Sequence, residues 1–247
     1  MTKIIGVIPV RMGSSRFPGK PLFLIAGMPM LEHVWHRAKM YQKWDELFLA
    51  TCDSEIKEFA DSKNIPCVMT SNKHVRALDR VAEAIEKSDF EVSGDDIVLN
   101  VQGDEPIMNP DDIKKILDVA KRNPKDVVNG MCAIDSEELF YSPTIPKVVA
   151  RPDGRLLYMS RAAIPTNKQH EFASARRQVC IYAFPKAALV EYSSVQTKTP
   201  LELIEDIEIL RFLELGYDVH MVELTADTIS VDVPEDIPRA EEAIRSR

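Results

Sequence analysis

Apolar and polar positions follow two regimes along this chain. Short, continuous apolar runs at 4–10, 47–51, 66–69, 97–102 and 127–134 predict buried strands. Between them, segments 30–41, 54–63, 77–87 and 110–121 carry apolar residues at helical spacing and predict helices. Ser54 is the expected cap of the second helix, and Pro110 followed by Asp111 and Asp112 suits the first turn of the fourth. Strands and helices in alternation imply βαβ units, hence an α/β fold with a mostly parallel central sheet flanked by helices.

The pattern changes in the second half. Segments 147–150, 156–160 and 177–184 predict strands with no helix between them, and Asp153-Gly154 supplies a turn, so a mixed β extension is expected. Arg176-Arg177 opens the last of these strands and reads as a pair of solvated edge charges. Segment 200–215 predicts one helix closed by Gly216, with Leu203, Ile207 and Leu210 on one face and Glu202, Glu205 and Glu208 on a solvated face. A strand over 219–224 and a helix over 234–245 follow. No linker or repeat interrupts the chain. The expected organisation is one domain over 1–247, with a dimerisation or lid region around 140–200.

With 247 residues and 45% hydrophobic content, the chain can bury a large core. Its net charge of −8 argues against a nucleic-acid partner, which needs a basic face. No leader-like N-terminus and no long apolar run stand out, so a cytoplasmic protein without membrane insertion is expected. Cys52, Cys67, Cys132 and Cys180 lack metal-ligand spacing and read as small core residues.

Candidate chemistry concentrates where predicted strands end. After 4–10 comes a loop holding Arg11, Gly13, Ser14, Ser15, Arg16, Gly19 and Lys20. Glycines permit close backbone approach, hydroxyl and N–H groups donate, and three cations neutralise charge, which suits a polyphosphate. The same composition also makes a solvated turn. Walker A spacing and the dinucleotide G-x-G-x-x-G are both absent from the loop. The next site is Asn100-Val101-Gln102-Gly103-Asp104-Glu105-Pro106, where Asp104 at a strand end could bind magnesium or close a turn. Asp232 stands at a third such point, while Glu235 and Asp236 suit the first turn of the following helix. Two aspartates at strand ends could together hold metal. Ser160-Arg161 ends a strand, and Arg161 could clamp a carboxylate or join a surface ion pair.

These motifs, with Tyr158 through Pro165, Ile181-Tyr182, Pro200-Leu201-Glu202 through Leu210-Arg211, and Val231 through Asp236, appear in order over nearly the whole chain. In this order they resemble the 3-deoxy-manno-octulosonate (Kdo) cytidylyltransferases. The resemblance implies a nucleotide-diphospho-sugar transferase-like fold, usually dimeric. The implied reaction is CMP transfer from CTP to a 2-keto-3-deoxy sugar acid, with pyrophosphate released, for bacterial surface polysaccharide.

By motif match, Arg11, Ser14, Arg16 and Lys20 would hold the triphosphate, with Pro9, Gly13 and Arg80 in the nucleotide site. Arg16, Lys20 and Asp104 would be the catalytic residues, and Asp104 and Asp232 would bind Mg2+. Gln102, Arg161, Gln178, Tyr182 and Glu205 would face the sugar. Two stretches depart from the family pattern. Arg76-Ala77-Leu78 replaces its Ser-Gly-Thr, and Gln178 replaces a histidine. An amino-substituted acid or a nonulosonate therefore stands beside Kdo as acceptor, and a non-catalytic sugar-nucleotide binder is the alternative of another class.

Overall fold

Six consecutive buried residues form β1 (Ile4–Pro9), and strands pair with both of its edges. The computed structural model describes residues 2–14, 16–74, 76–226 and 229–246; Ser15 of the predicted loop lies outside the described residues. β1 leads through a 3-10 turn (Lys20–Leu22) and a small hairpin, β2 (Leu24–Ile25) with β3 (Met28–Pro29), into α1 (Met30–Lys39). Then come β4 (Glu46–Thr51), α2 (Ser54–Ser62), β5 (Cys67–Met69), α3 (Ala77–Lys87), β6 (Ile97–Asn100), α4 (Pro110–Arg122) and β7 (Val127–Ala133). The second half adds α5 (Glu137–Tyr141), β8 (Lys147–Ala150), β9 (Leu156–Ser160), β10 (Arg176–Pro185) and α6 (Lys186–Ser194). It closes with α7 (Pro200–Glu205), α8 (Ile209–Glu214), β11 (Val219–Glu223) and α9 (Ile237–Arg245).

The sheet order is β11-β7-β10-β6-β1-β4-β5, with the β8–β9 hairpin attached to β10. β6, β1, β4 and β5 run parallel, whereas β10 is antiparallel to both β6 and β7. Alternation along β1 sends Ile5 and Val7 to one face and Ile4 and Ile8 to the other. The first face packs against Leu78 and Val81 of α3, Leu189 of α6 and Leu210 of α8. The second packs against Val34 of α1, Ile56 of α2 and Ile116 of α4. A smaller cluster, with Phe17, Ile25, Ile107, Val231 and Ala240, pins the C-terminal segment beside the loop after β1.

Three local expectations are corrected. The cap of α2 is Asp53, not Ser54, and its carboxylate takes the Met12 N–H at 2.7 Å rather than one from its own helix. The helix expected over 200–215 is two helices, broken at Asp206, which adopts the left-handed region (φ 52°). Arg176 and Arg177 do not mark a sheet edge, because β10 pairs with β7 and with β8 at both residues. The α5 and α6 helices and the β2–β3 hairpin were not read from the sequence. In α6 the apolar residues lie on two faces: Leu189 is buried while Val190 is 45% exposed, so no single stripe marks it.

Candidate active site

The C-terminal ends of β1 and β6 open into one cavity of about 300 Å³. One wall is the loop after β1, contributing Arg11, Gly13, Ser14, Arg16 and Lys20, with Pro9 at its base. The loop holds its shape by local bonds. Gly19 takes φ 76°, and its N–H donates to Met12 O at 3.1 Å. The Phe17 N–H donates to Ser14 Oγ at 3.2 Å. The floor is Gln102, Gly103 and Asp104. A side chain at Gly103 would put its Cβ 2.9 Å from Pro9 O, so only glycine lets this turn sit against β1.

Asp232 joins the same cavity from far along the chain. The Val231 N–H donates to Asp104 O at 3.0 Å, which stitches the two aspartate segments together. Lys20 Nζ lies 3.0 Å from Asp104 Oδ2 and 3.7 Å from Asp232 Oδ1. Arg16 Nη2 lies 2.9 Å from Asp232 Oδ1. Two carboxylates thus converge on one cation, with further cations alongside. That hard-oxygen pair is a donor set that would suit a magnesium ion, with phosphate and water needed to complete its ligands. Next to Asp104, Glu105 is pushed up to about 7 by burial and then by the Asp104 charge.

The remaining wall is the entrance and first turn of α3: His74 and Arg76 before the helix, Ala77 and Arg80 within it. Arg80 is buried and donates to Thr70 Oγ1 at 2.5 Å. The cavity therefore gathers Pro9, Arg11, Gly13, Ser14, Arg16, Lys20, Arg80, Gln102, Asp104 and Asp232. His74 and Arg76 line the cavity as well. Arg76 belongs to the stretch at 76–78 that departs from the family pattern, while no sequence signal marks His74.

Arg161, Gln178, Tyr182 and Glu205 do not line this cavity. Among the described residues Arg161 makes no side-chain ion pair. Its guanidinium donates to four carbonyls: Glu205 O (2.5 Å), Asp206 O (2.9 Å), Pro143 O (3.1 Å) and Thr144 O (3.3 Å). Glu205 is equally committed, accepting from Ser160 Oγ at 2.6 Å, the Arg161 N–H at 2.9 Å and Tyr158 Oη at 3.2 Å. Together they lock the end of α7 to the end of β9.

Gln178 and Tyr182 form a second cluster at a β-bulge in β10. Asn129 Nδ2 donates to Val179 O and Ile181 O, both at 2.9 Å, and Gln178 Nε2 donates to Asn129 Oδ1 (3.0 Å) and Tyr182 Oη (3.2 Å). Such bulges re-aim side chains. Cys180 sits in the bulge, where burial pushes its thiol up to about 12, which suits an inert core thiol and not a nucleophile. At the end of β6, the fully buried Asn100 has an amide without a partner among the described residues.

The glutamates of α7 and α8 are not a solvated face. Glu202 is 1% exposed, whereas Leu203 and Ile204 are 64% and 78% exposed. Among the described residues Glu208 accepts one long bond, 3.4 Å, from the Leu78 N–H in the first turn of α3. Burial pushes its carboxyl up to about 7. Glu208 is thus a half-buried acid with spare acceptor capacity behind the cavity wall, hidden in the sequence by its place in an apparent charge stripe.

Comparison with known proteins gives consistent matches. A family profile described as cytidylyltransferase matches residues 5–223. The 3-deoxy-manno-octulosonate cytidylyltransferase of Thermodesulfovibrio yellowstonii is 34% identical over 98% of both chains. The 8-amino-3,8-dideoxy-manno-octulosonate cytidylyltransferase of Shewanella frigidimarina is 35% identical over 97% of both. The structure of a CMP:2-keto-3-deoxy-manno-octonic acid synthetase complexed with CTP superposes with a TM-score of 0.90, at 33% identity over 99% of each chain.

Proposed function

This chain belongs to the cytidylyltransferase family, and from that premise we propose that it transfers CMP from CTP to 3-deoxy-manno-octulosonate (Kdo) and releases pyrophosphate. The relatives named for this reaction support it. So does one observation above the others: Lys20 bridges Asp104 and Asp232 inside a cavity walled by Arg11 and Arg16. A cation-lined cleft with paired carboxylates suits a magnesium nucleoside triphosphate.

In this reading the acceptor's anomeric hydroxyl oxygen forms a bond to the α-phosphorus. The bond from that phosphorus to the β-bridging oxygen breaks, pyrophosphate leaves with the electron pair, and the hydroxyl proton passes to solvent. Positioning and charge neutralisation carry most of the catalysis. Arg11, Ser14, Arg16 and Lys20 hold the triphosphate, and Lys20 and Arg16 neutralise the departing pyrophosphate. Asp104 and Asp232 hold magnesium, which when bound supplies neutralisation of the phosphoryl oxygens. The acceptor lies toward Gln102, with Tyr182, Gln178 and Glu208 behind it. Arg161 positions Glu205 and the α7–α8 break by its carbonyl bonds.

The 8-amino acid is a second acceptor reading, favoured by the Shewanella frigidimarina relative. The chain acts as one domain in the cytoplasm, supplying a sugar nucleotide for surface polysaccharide. Among the described residues no helix is long and apolar enough to cross a membrane. A homodimer would cover the exposed Leu203 and Ile204, and sedimentation analysis tests it. The direct test of function is pyrophosphate release from CTP with Kdo, the 8-amino acid and a nonulosonate. Release with Kdo is expected, and CTP binding without release for every acid would favour a non-catalytic binder.

A further inference from the structure

Arg76 stands at the entrance to α3, in the cavity wall, with backbone φ −98° and ψ 150°. Its guanidinium is aimed along the wall. Nε donates to Asp79 Oδ2 at 2.7 Å, and Nη1 donates to Glu202 Oε1 at 2.9 Å. The other Glu202 oxygen takes Nε of Arg211 at 2.6 Å. Arg211 is fully buried and donates onward to Tyr192 O at 3.0 Å and Val195 O at 2.9 Å. Both guanidinium groups lie over the Tyr192 ring, at 5.6 Å for Arg76 and 4.3 Å for Arg211. Two residues beyond Arg76, the Leu78 N–H meets Glu208 at 3.4 Å. The first turn of α3 is therefore tied to the α7–α8 pair at two carboxylates. One tie is a short charge-assisted bond and the other a long neutral-donor bond.

We propose that Arg76 is a positioning residue for acceptor binding, a strut that joins the nucleotide wall to the α7–α8 pair and so sets Glu208 against the cavity. The proposal rests on the reading above of that pair as the acceptor side. Loss of Arg76 leaves the fully buried Glu202 paired with Arg211 and unpairs only Asp79, whose side chain is 16% exposed and can take water, so the fold persists. What goes is the charged tie between α3 and α7, which leads directly into Glu208. The wall keeps Arg80 and the loop keeps all its cations, so the nucleotide end is largely spared.

The experiment compares wild type with Arg76→Ala and Arg76→Lys by initial rates of pyrophosphate release, and by hydrogen exchange over residues 200–215. The acceptor KM is expected to rise roughly tenfold in Arg76→Ala, with the CTP KM within about twofold. Arg76→Lys should recover part of the loss, because an ammonium can pair with Glu202 but not with Asp79 at the same time. Exchange over 200–215 should quicken while α4 stays protected. A rise in the CTP KM alone, an equal rise in both, or unchanged exchange would overturn the proposal. If Arg76→Ala does not fold, Arg76→Gln, which keeps a polar side chain but no charge, takes its place, and wild-type acceptor KM and exchange in that enzyme overturn the proposal equally. Should wild type release no pyrophosphate with Kdo, the acceptor reading fails, and the exchange data still judge the strut.

Discussion

Arg16 and Asp232 pair at 60% and 39% side-chain exposure, whereas Arg211 and Glu202 pair at 0% and 1%. The first pair sits at the mouth of the cavity, the second beneath α7. An exposed pair contributes only about 0–1 kcal/mol, so it can exchange its partner for a phosphate or a metal at little cost. A buried pair loses far more when one member goes, because the other charge stays uncompensated. The same residue types therefore serve as exchangeable ligand contacts at one end and as fixed scaffold at the other.

The sharpest way to break this contrast is to remove a buried partner. Glu202→Ala should lower unfolding stability by about 3–5 kcal/mol, read from denaturant midpoints. A loss below about 1 kcal/mol would put Glu202 in the exchangeable class. At the open end the effect should fall on rate instead. Asp104→Asn should cut turnover about a hundredfold while the denaturant midpoint stays put, and near-wild-type turnover would deny it a metal role.

A smaller effect separates the two ends by pH. Burial raises the Glu208 carboxyl from 4.5 to about 7. A group with a raised folded-state pKa binds more protons when folded. Its contribution is fully present below the ordinary value and is lost as pH rises through the folded one. Between about pH 5 and about pH 7, wild type should lose stability relative to Glu208→Gln by about 1 kcal/mol per pH unit. Parallel pH profiles would contradict the burial of this acid.

Much of the molecule was legible before folding. The strand–helix alternation reported β1, β4, β6 and α1 to α4 because each buries one face or both against the sheet. Two of the cavity residues were legible because loops after β1 and β6 place Lys20 and Asp104. The run before Asp232 is no strand, and Asp232 arrives through the packing of Ile229 and Val231 and the Val231 N–H bond to Asp104 O. The α7–α8 segment was not legible. Its periodicity showed leucines and glutamates on separate faces, and hydrophobicity argues for burying the leucines. Ile207 and Leu210 are buried as that preference requires, but in α7 Glu202 is held inside by Arg211 and the sequence-distant Arg76, which leaves Leu203 exposed. The surroundings of Arg161 were hidden for a related reason. Its partners are carbonyls of Pro143, Thr144, Glu205 and Asp206, and no side-chain pattern announces a carbonyl.

The central claim is that the loop after β1 and the two aspartates grip one magnesium-bound nucleotide. Calorimetric titration of CTP into wild type and Asp232→Asn, each with and without magnesium, tests it most directly. Magnesium should strengthen CTP binding to wild type, and that gain should vanish in the variant. An equal gain in both proteins would contradict the claim.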